Sequence, residues 1–189
     1  MRNSRWLIWI GSALVIGGAV VLASYCRTQH LRADAQRHAR ERLSQEVTVH
    51  KAAPSVPLRR GDVVAEMDIP RLDLSVMVLE GDDAAILKQG AGHIPGTALP
   101  PGSGNIGIAA HRDTYFRPLR FVRTNDVITL KTPAGTSRYA VTGTEIVKPS
   151  AVRVLDPAPG RDLTLVTCYP FFYLGKAPER FIVHARKVA

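Results

Sequence analysis

The sequence predicts an all-β domain, closed as a barrel or layered as a sandwich, carried behind an N-terminal helix. From residue 61 onward, seven short segments of alternating apolar side chains are separated by Gly- and Pro-containing turns at fairly even spacing. Ahead of them lies an uncharged run of 21 residues, 6–26, rich in Leu, Ile, Val, Ala and Gly. The intervening residues 27–60 are polar, and their second half contains Pro54 and Pro57.

Residues 1–5 are short and basic. A helix over 6–26 spans about 30 Å, the thickness of a bilayer's hydrocarbon core. Trp6, Trp9 and Tyr25 stand near its ends, where amphipathic rings favour the interface. The run is longer than the apolar part of a cleaved signal peptide, and Tyr25 stands before Cys26 where a lipoprotein-type cut would want a small residue, so a retained membrane anchor is expected. Arg2 and Arg5 on one side face Arg27, Arg32, Arg37, Arg40 and Arg42 on the other, so charge counting would place the C-terminal side in the cytoplasm.

Residues 27–46 are rich in helix formers but have too few apolar positions for a core-facing stripe, which predicts a solvated stalk or a partly disordered one. Residues 47–60 read as a linker. Strands are expected at 63–69 and 72–79 around a Pro-Arg turn. A short helix follows over 82–89, with Asp82 or Asp83 as N-cap and Gly90 as stop. Residues 90–104 read as a Gly/Pro loop. Further strands are expected at 105–110, 126–132, 137–147, 163–168 and 180–187.

Net charge is +9, but residues 1–60 hold ten Lys/Arg against three Asp/Glu, and residues 61–189 fifteen against thirteen. The basic excess lies outside the folded domain, which argues against nucleic-acid binding and for membrane-proximal charge. Two cysteines, Cys26 and Cys168, form no disulfide framework, and no Cys-x-x-Cys or His-x-x-x-His spacing suggests a metal. No cofactor is expected, and no acidic cluster resembles a calcium site. Cys26 is expected to be inert, and nothing supports a ligand role for His38 or His50.

Cys168 ends an apolar strand just before Pro170, where a side chain can leave the core. A lone strand cysteine is usually a small buried hydrophobe. A nucleophilic one needs a histidine to favour its thiolate and to protonate a leaving amine. His93 in a Gly-rich loop reads as solvated, and His184, late in the last strand, as surface or edge. His111 directly follows an apolar strand and opens a loop, as Cys168 does. Arg180 opens the final strand twelve residues after Cys168, as two antiparallel neighbours require. There it can stabilise an oxyanion or serve as an exposed strand-end charge beside Glu179. Spacing alone leaves both readings open.

Thr164-Leu165-Val166-Thr167-Cys168 resembles the Thr-Leu-x-Thr-Cys signature of the sortases, membrane-anchored cysteine transpeptidases. The segment from Asn105 to Thr114, ending His111-Arg112-Asp113-Thr114, is similar to their catalytic-His region, and Glu179-Arg180-Phe181-Ile182-Val183 to the strand bearing their essential Arg. The His-Arg-Asp-Thr run and Cys168-Tyr169-Pro170-Phe171 resemble the class D group in particular. Ala109-Ala110 before His111, where Ala-Gly is common, is a mild departure.

The resemblance implies an eight-stranded sortase-type β-barrel, one strand more than the pattern shows; the eighth is sought by splitting 137–147 or within 151–155. It implies four regions: a cytoplasmic N-terminus (1–5), a transmembrane anchor (6–26), a stalk and linker (27–60) and an extracytoplasmic catalytic domain (61–189). Cys168 would cleave a Leu-Pro-x-Thr-Gly-type sorting signal between Thr and Gly, with His111 as acid and base and Arg180 on the oxyanion. Partners would be surface proteins bearing that signal, an amine acceptor (a cell-wall precursor or a pilin lysine) and membrane lipid around the anchor. Thr164, Val166, Thr167 and Tyr169, around the nucleophile, are expected to line the substrate groove, with 91–101 a candidate wall. A protease resolving its acyl-enzyme with water, or a barrel that only binds peptides, are the alternatives.

Overall fold

A computed structural model describes the backbone of residues 4–49, 58–157 and 162–188, and within the first stretch the side chains of 14–44. Eight strands form a closed barrel: β1 (Val63–Ile69), β2 (Leu74–Glu80), β3 (Ala91–His93), β4 (Ile106–Ala109), β5 (Val127–Thr132), β6 (Gly135–Val147), β7 (Leu163–Tyr169) and β8 (Glu179–Val188). Their order around the barrel is β1-β2-β3-β4-β7-β8-β6-β5. All pairs are antiparallel except β2 with β3 and β4 with β7. Alternation along the strands sends Met67, Ile69, Val76, Val78, Ile106, Ile108, Ile128, Leu130, Leu163, Leu165 and Val183 into one buried core.

The eighth strand lies in neither place where it was sought. Residues 135–147 form one strand with a bulge near Val141, and Val152–Leu155 is a 3-10 turn. Instead β3 arises within the expected loop 90–104. It is three residues long and centred on Gly92, so it carries no alternation to read. A Cβ on Gly92 would stand 2.2 Å from the Gly81 carbonyl oxygen, which explains the glycine. The predicted short helix forms as α2 (Ala84–Leu87), and Asp83 caps it by accepting from the amides of Ala85 and Ile86.

Residues 4–49 form one helix, α1 (Ser4–Val49), which divides between two compact units at Ala35 and Gln36. From Gln36 onward the helix belongs with the barrel and is not a solvated stalk. Ala39 and Leu43 are buried with Val63, Met77, Leu79 and Ile86. β3 begins opposite Val78, and Gln36 serves the strand edge there by accepting from the Met77 amide (2.8 Å) and donating to the Gln89 carbonyl. Among the described residues no helix is long and apolar enough to cross a membrane. Residues 6–13 of the expected anchor lie outside the described side chains, and most of the expected linker, with Pro54, Pro57 and His50, falls outside the described residues.

Two histidines differ from expectation. His93 is buried, with Nδ1 2.7 Å from Glu80 Oε2 and Nε2 3.0 Å from the Ala98 carbonyl. His184 lies on an interior strand, between Gly143 of β6 and Thr164 of β7. Its Nε2 is 2.8 Å from Glu145 Oε1.

Buried Asp126 accepts from Nε and Nη2 along one edge of the Arg71 guanidinium and from the Arg123 amide (2.8 Å). The Arg71 hydrogen bonds hold its carboxyl below the usual carboxylate range, against the effect of burial. Asp126→Ala is expected to cost about 1–2 kcal/mol, since half-exposed Arg71 is partly screened. A depressed folded-state value stabilises above the unfolded value and is lost as pH falls, so the difference should shrink below about pH 4. Denaturant midpoints of both proteins at pH 7 and pH 3 check this.

Candidate active site

Cys168 lies between two neighbours that register alone brings to it. On one side β8 pairs antiparallel with β7, placing Arg180 directly opposite Cys168. On the other, β4 runs parallel to β7 with Ala109 opposite Val166. The Ala110 amide donates to the Val166 carbonyl (3.2 Å), and Thr167 Oγ1 donates to the Ala110 carbonyl (2.8 Å). His111, one residue on, therefore leaves β4 beside Cys168.

Local structure fixes both partners. The amides of Thr114 (3.3 Å) and Phe116 (3.1 Å) donate to the His111 carbonyl, folding the loop back on itself. Fully buried Phe116 and Leu119 anchor that loop in the core. Arg180 Nη1 donates to the carbonyls of Glu179 (2.9 Å) and Ala177 (3.3 Å). Arg112 Nη2 donates to the carbonyls of Tyr173 (2.7 Å) and Gly175 (3.1 Å), tying the loop after His111 to the loop before Arg180.

Cys168, His111 and Arg180 line two adjoining grooves. The first, about 360 Å³, is largely apolar: Ala109, Val166 and Ile182 lie on three neighbouring strands, Leu87 and Ile94 on one bank, and Val147, Val152, Val154 and Leu155 on the other. The second, about 400 Å³, is polar and lined by Arg112, Asp113, Gly175, Lys176 and Ala177. A thiol at this junction can meet an apolar extended chain from one side and a polar molecule from the other. Among the described residues no three His, Cys, Asp or Glu side chains converge as a metal would require.

The other expected groove residues separate. Val166 lines the apolar groove. Thr167 borders it, but its side chain is buried and its hydroxyl engaged by Ala110. Thr164 shares the face of Cys168 yet is fully buried, its hydroxyl donating to Asn105 Oδ1 (2.9 Å). Tyr169 belongs to the opposite face and packs with Phe171 and Phe181, ring centroids 6.0 and 6.3 Å away. Of the candidate wall 91–101, Ile94 reaches the groove. The bank formed by 147–155 was not recognised from sequence as a site element. Its one signal is the apolar Val152, Val154 and Leu155 in a segment too short for a strand.

A family model described as the sortase domain matches residues 67–188. Sortase D of Bacillus subtilis is 28% identical over 197 residues, covering all of both chains. A Clostridium perfringens sortase D5 transpeptidase structure superposes with a TM-score of 0.70 at 23% identity, covering 82% of this chain and 99% of the other, a likeness of fold. Clostridium perfringens sortase C with its C-terminal cell wall sorting motif gives 0.63 at 25% identity, covering 82% and 89%.

Proposed function

The chain belongs to the sortase family of cysteine transpeptidases, and on that premise we propose that it cleaves a Leu-Pro-x-Thr-Gly-type sorting signal and transfers the released protein to an amine. The observation that carries this reading is the position of Cys168 where the apolar and polar grooves meet, with His111 and Arg180 lining both.

The Leu-Pro portion lies in the apolar groove, bringing the Thr–Gly carbonyl to Cys168. The Cys168 thiolate attacks the carbonyl carbon, and the charge that builds on oxygen is held by Arg180. The C–N bond breaks, and the leaving glycine amine takes its proton from the His111 imidazolium. A thioester joins the substrate threonine to Cys168. An acceptor amine enters through the polar groove, gives a proton to His111 and attacks the thioester; the C–S bond breaks and the thiolate returns. One amide bond replaces another, with no cofactor consumed. The uncharged run 6–26 supports a further proposal: a membrane anchor with residues 1–5 in the cytoplasm and the barrel outside. Its test is whether the full chain stays in membranes after an alkaline carbonate wash.

Incubating the protein with a Leu-Pro-x-Thr-Gly peptide and a diamine should give the Thr–amine amide by mass spectrometry, increasing with amine concentration. Free acid at every amine concentration would identify a protease instead. No cleavage of the peptide would refute the substrate assignment.

A further inference from the structure

The bank of the apolar groove formed by Val152–Leu155 is held from beneath by a buried polar chain that the chemistry above does not use. Asn105 is 2% exposed, and its Nδ2 donates to the carbonyls of Val154 (3.2 Å) and Asp156 (3.4 Å) at the end of that bank. With both amide hydrogens given to carbonyls, Oδ1 needs a donor, and Thr164 Oγ1 supplies it at 2.9 Å. A hydroxyl has one proton. Once it points at Asn105, the Thr164 oxygen is left to accept, and His184 Nδ1 stands 3.3 Å away. Glu145 holds the other nitrogen of that ring at 2.8 Å. The opposite amide orientation would set the Asn105 oxygen against two carbonyl oxygens, so the amide has one orientation; the Val154 carbonyl, 3.4 Å from Thr164 Oγ1, is the more distant acceptor for that hydroxyl.

We propose that Asn105 is a positioning residue for the sorting-signal groove: its amide, oriented by the Thr164 hydroxyl, latches the Val152–Leu155 bank at the spacing the peptide requires. This rests on the apolar groove being the peptide site. Asn105 is in the residue run that leads to His111, and Thr164 in the run that leads to Cys168, so the strands carrying the reactive groups also fix the groove's width. The latch acts on peptide binding and not on the bond-making atoms, because it reaches Val154 and Asp156 and none of Cys168, His111 and Arg180.

Asn105→Asp keeps the shape and the accepting oxygen but turns two donors into an acceptor facing carbonyls. Thr164→Val removes the proton that orients the amide, and Thr164→Ser restores it. Both Asn105→Asp and Thr164→Val should raise KM for a Leu-Pro-x-Thr-Gly peptide about tenfold, the effect of roughly one unmet buried hydrogen bond, with kcat within threefold. Thr164→Ser should return KM close to that of the parent. Alkylation of Cys168 by iodoacetamide should be unchanged in all three. Independently of any peptide, hydrogen exchange at residues 151–156 should accelerate in Asn105→Asp and Thr164→Val alone.

Unchanged KM and exchange in a folded Asn105→Asp, or a loss confined to kcat, would overturn the proposal. If Asn105→Asp does not fold, the Thr164→Val and Thr164→Ser pair decides by the same criteria. A parent protein inactive on the peptide would refute the substrate reading, while the exchange measurements would still decide the latch.

Discussion

Replacing Cys168 by alanine is expected to lower turnover of a Leu-Pro-x-Thr-Gly peptide by about four orders of magnitude or more, the scale lost when a covalent nucleophile is deleted. The fold should hardly notice. The side chain is half-exposed on the outer wall of the barrel and outside the central core. The register that places it depends on the backbone pairing with β8 and on the bond from Thr167 to Ala110, both of which remain. Turnover and thermal midpoint should therefore separate cleanly. Single-turnover incubation with peptide should give an acyl adduct by intact mass for the parent and none for Cys168→Ala. Undiminished cleavage by the variant would remove Cys168 from the chemistry and with it the reading of the two grooves.

That expectation rests on a constellation largely legible before the fold was known, for a physical reason. Cys168 and Arg180 are joined by one strand-loop-strand unit, so their spacing nearly dictates that they face each other. His111 is harder, because the parallel pairing of β4 with β7 joins residues 57 apart. What marks it is an apolar strand ending at a histidine, as another ends at the cysteine. Period-two alternation likewise made seven of the eight strands legible.

The remainder was hidden where a segment's environment comes from distant chain. β3 has glycine at its centre and pairs in parallel with β2, so neither alternation nor a hairpin turn announces it. Residues 36–44 meet the barrel through just two buried apolar side chains, Ala39 and Leu43, one helical turn apart. A stripe that narrow looks solvated in the sequence, and its polar half, Gln36 and Arg40, is engaged by Met77, Gln89, Ser75 and Glu66. His93 is buried and His184 half-buried because Glu80 and Glu145, 13 and 39 residues away, receive them. Thr164 shows the limit most sharply: alternation assigns it to the face of Cys168, and only the covering bank at 152–155 takes it out of reach of a substrate.

Arg180 offers the second large effect, and a graded one. Arg180→Ala should lower kcat by about a hundred- to a thousandfold, the usual loss when an oxyanion donor is deleted. Arg180→Lys distinguishes two ways the arginine can act. A guanidinium is a planar fork; an ammonium is a compact charge on a flexible stem. One guanidinium nitrogen is already committed to the carbonyls of Ala177 and Glu179, which fixes the fork at the start of β8. A lysine there cannot keep that anchorage and also present a second donor at the same distance. If charge alone stabilises the oxyanion, Arg180→Lys should recover most of the kcat lost in Arg180→Ala. If the anchored fork is needed, Lys should stay within about tenfold of Ala. The register of Arg180 with Cys168 and its fixed Nη1 favour the second outcome. Steady-state kcat and KM for the three proteins, with single-turnover acylation rates, separate the two. Equal acylation by all three would exclude Arg180 from the oxyanion role and leave it the positioning of the loop before β8.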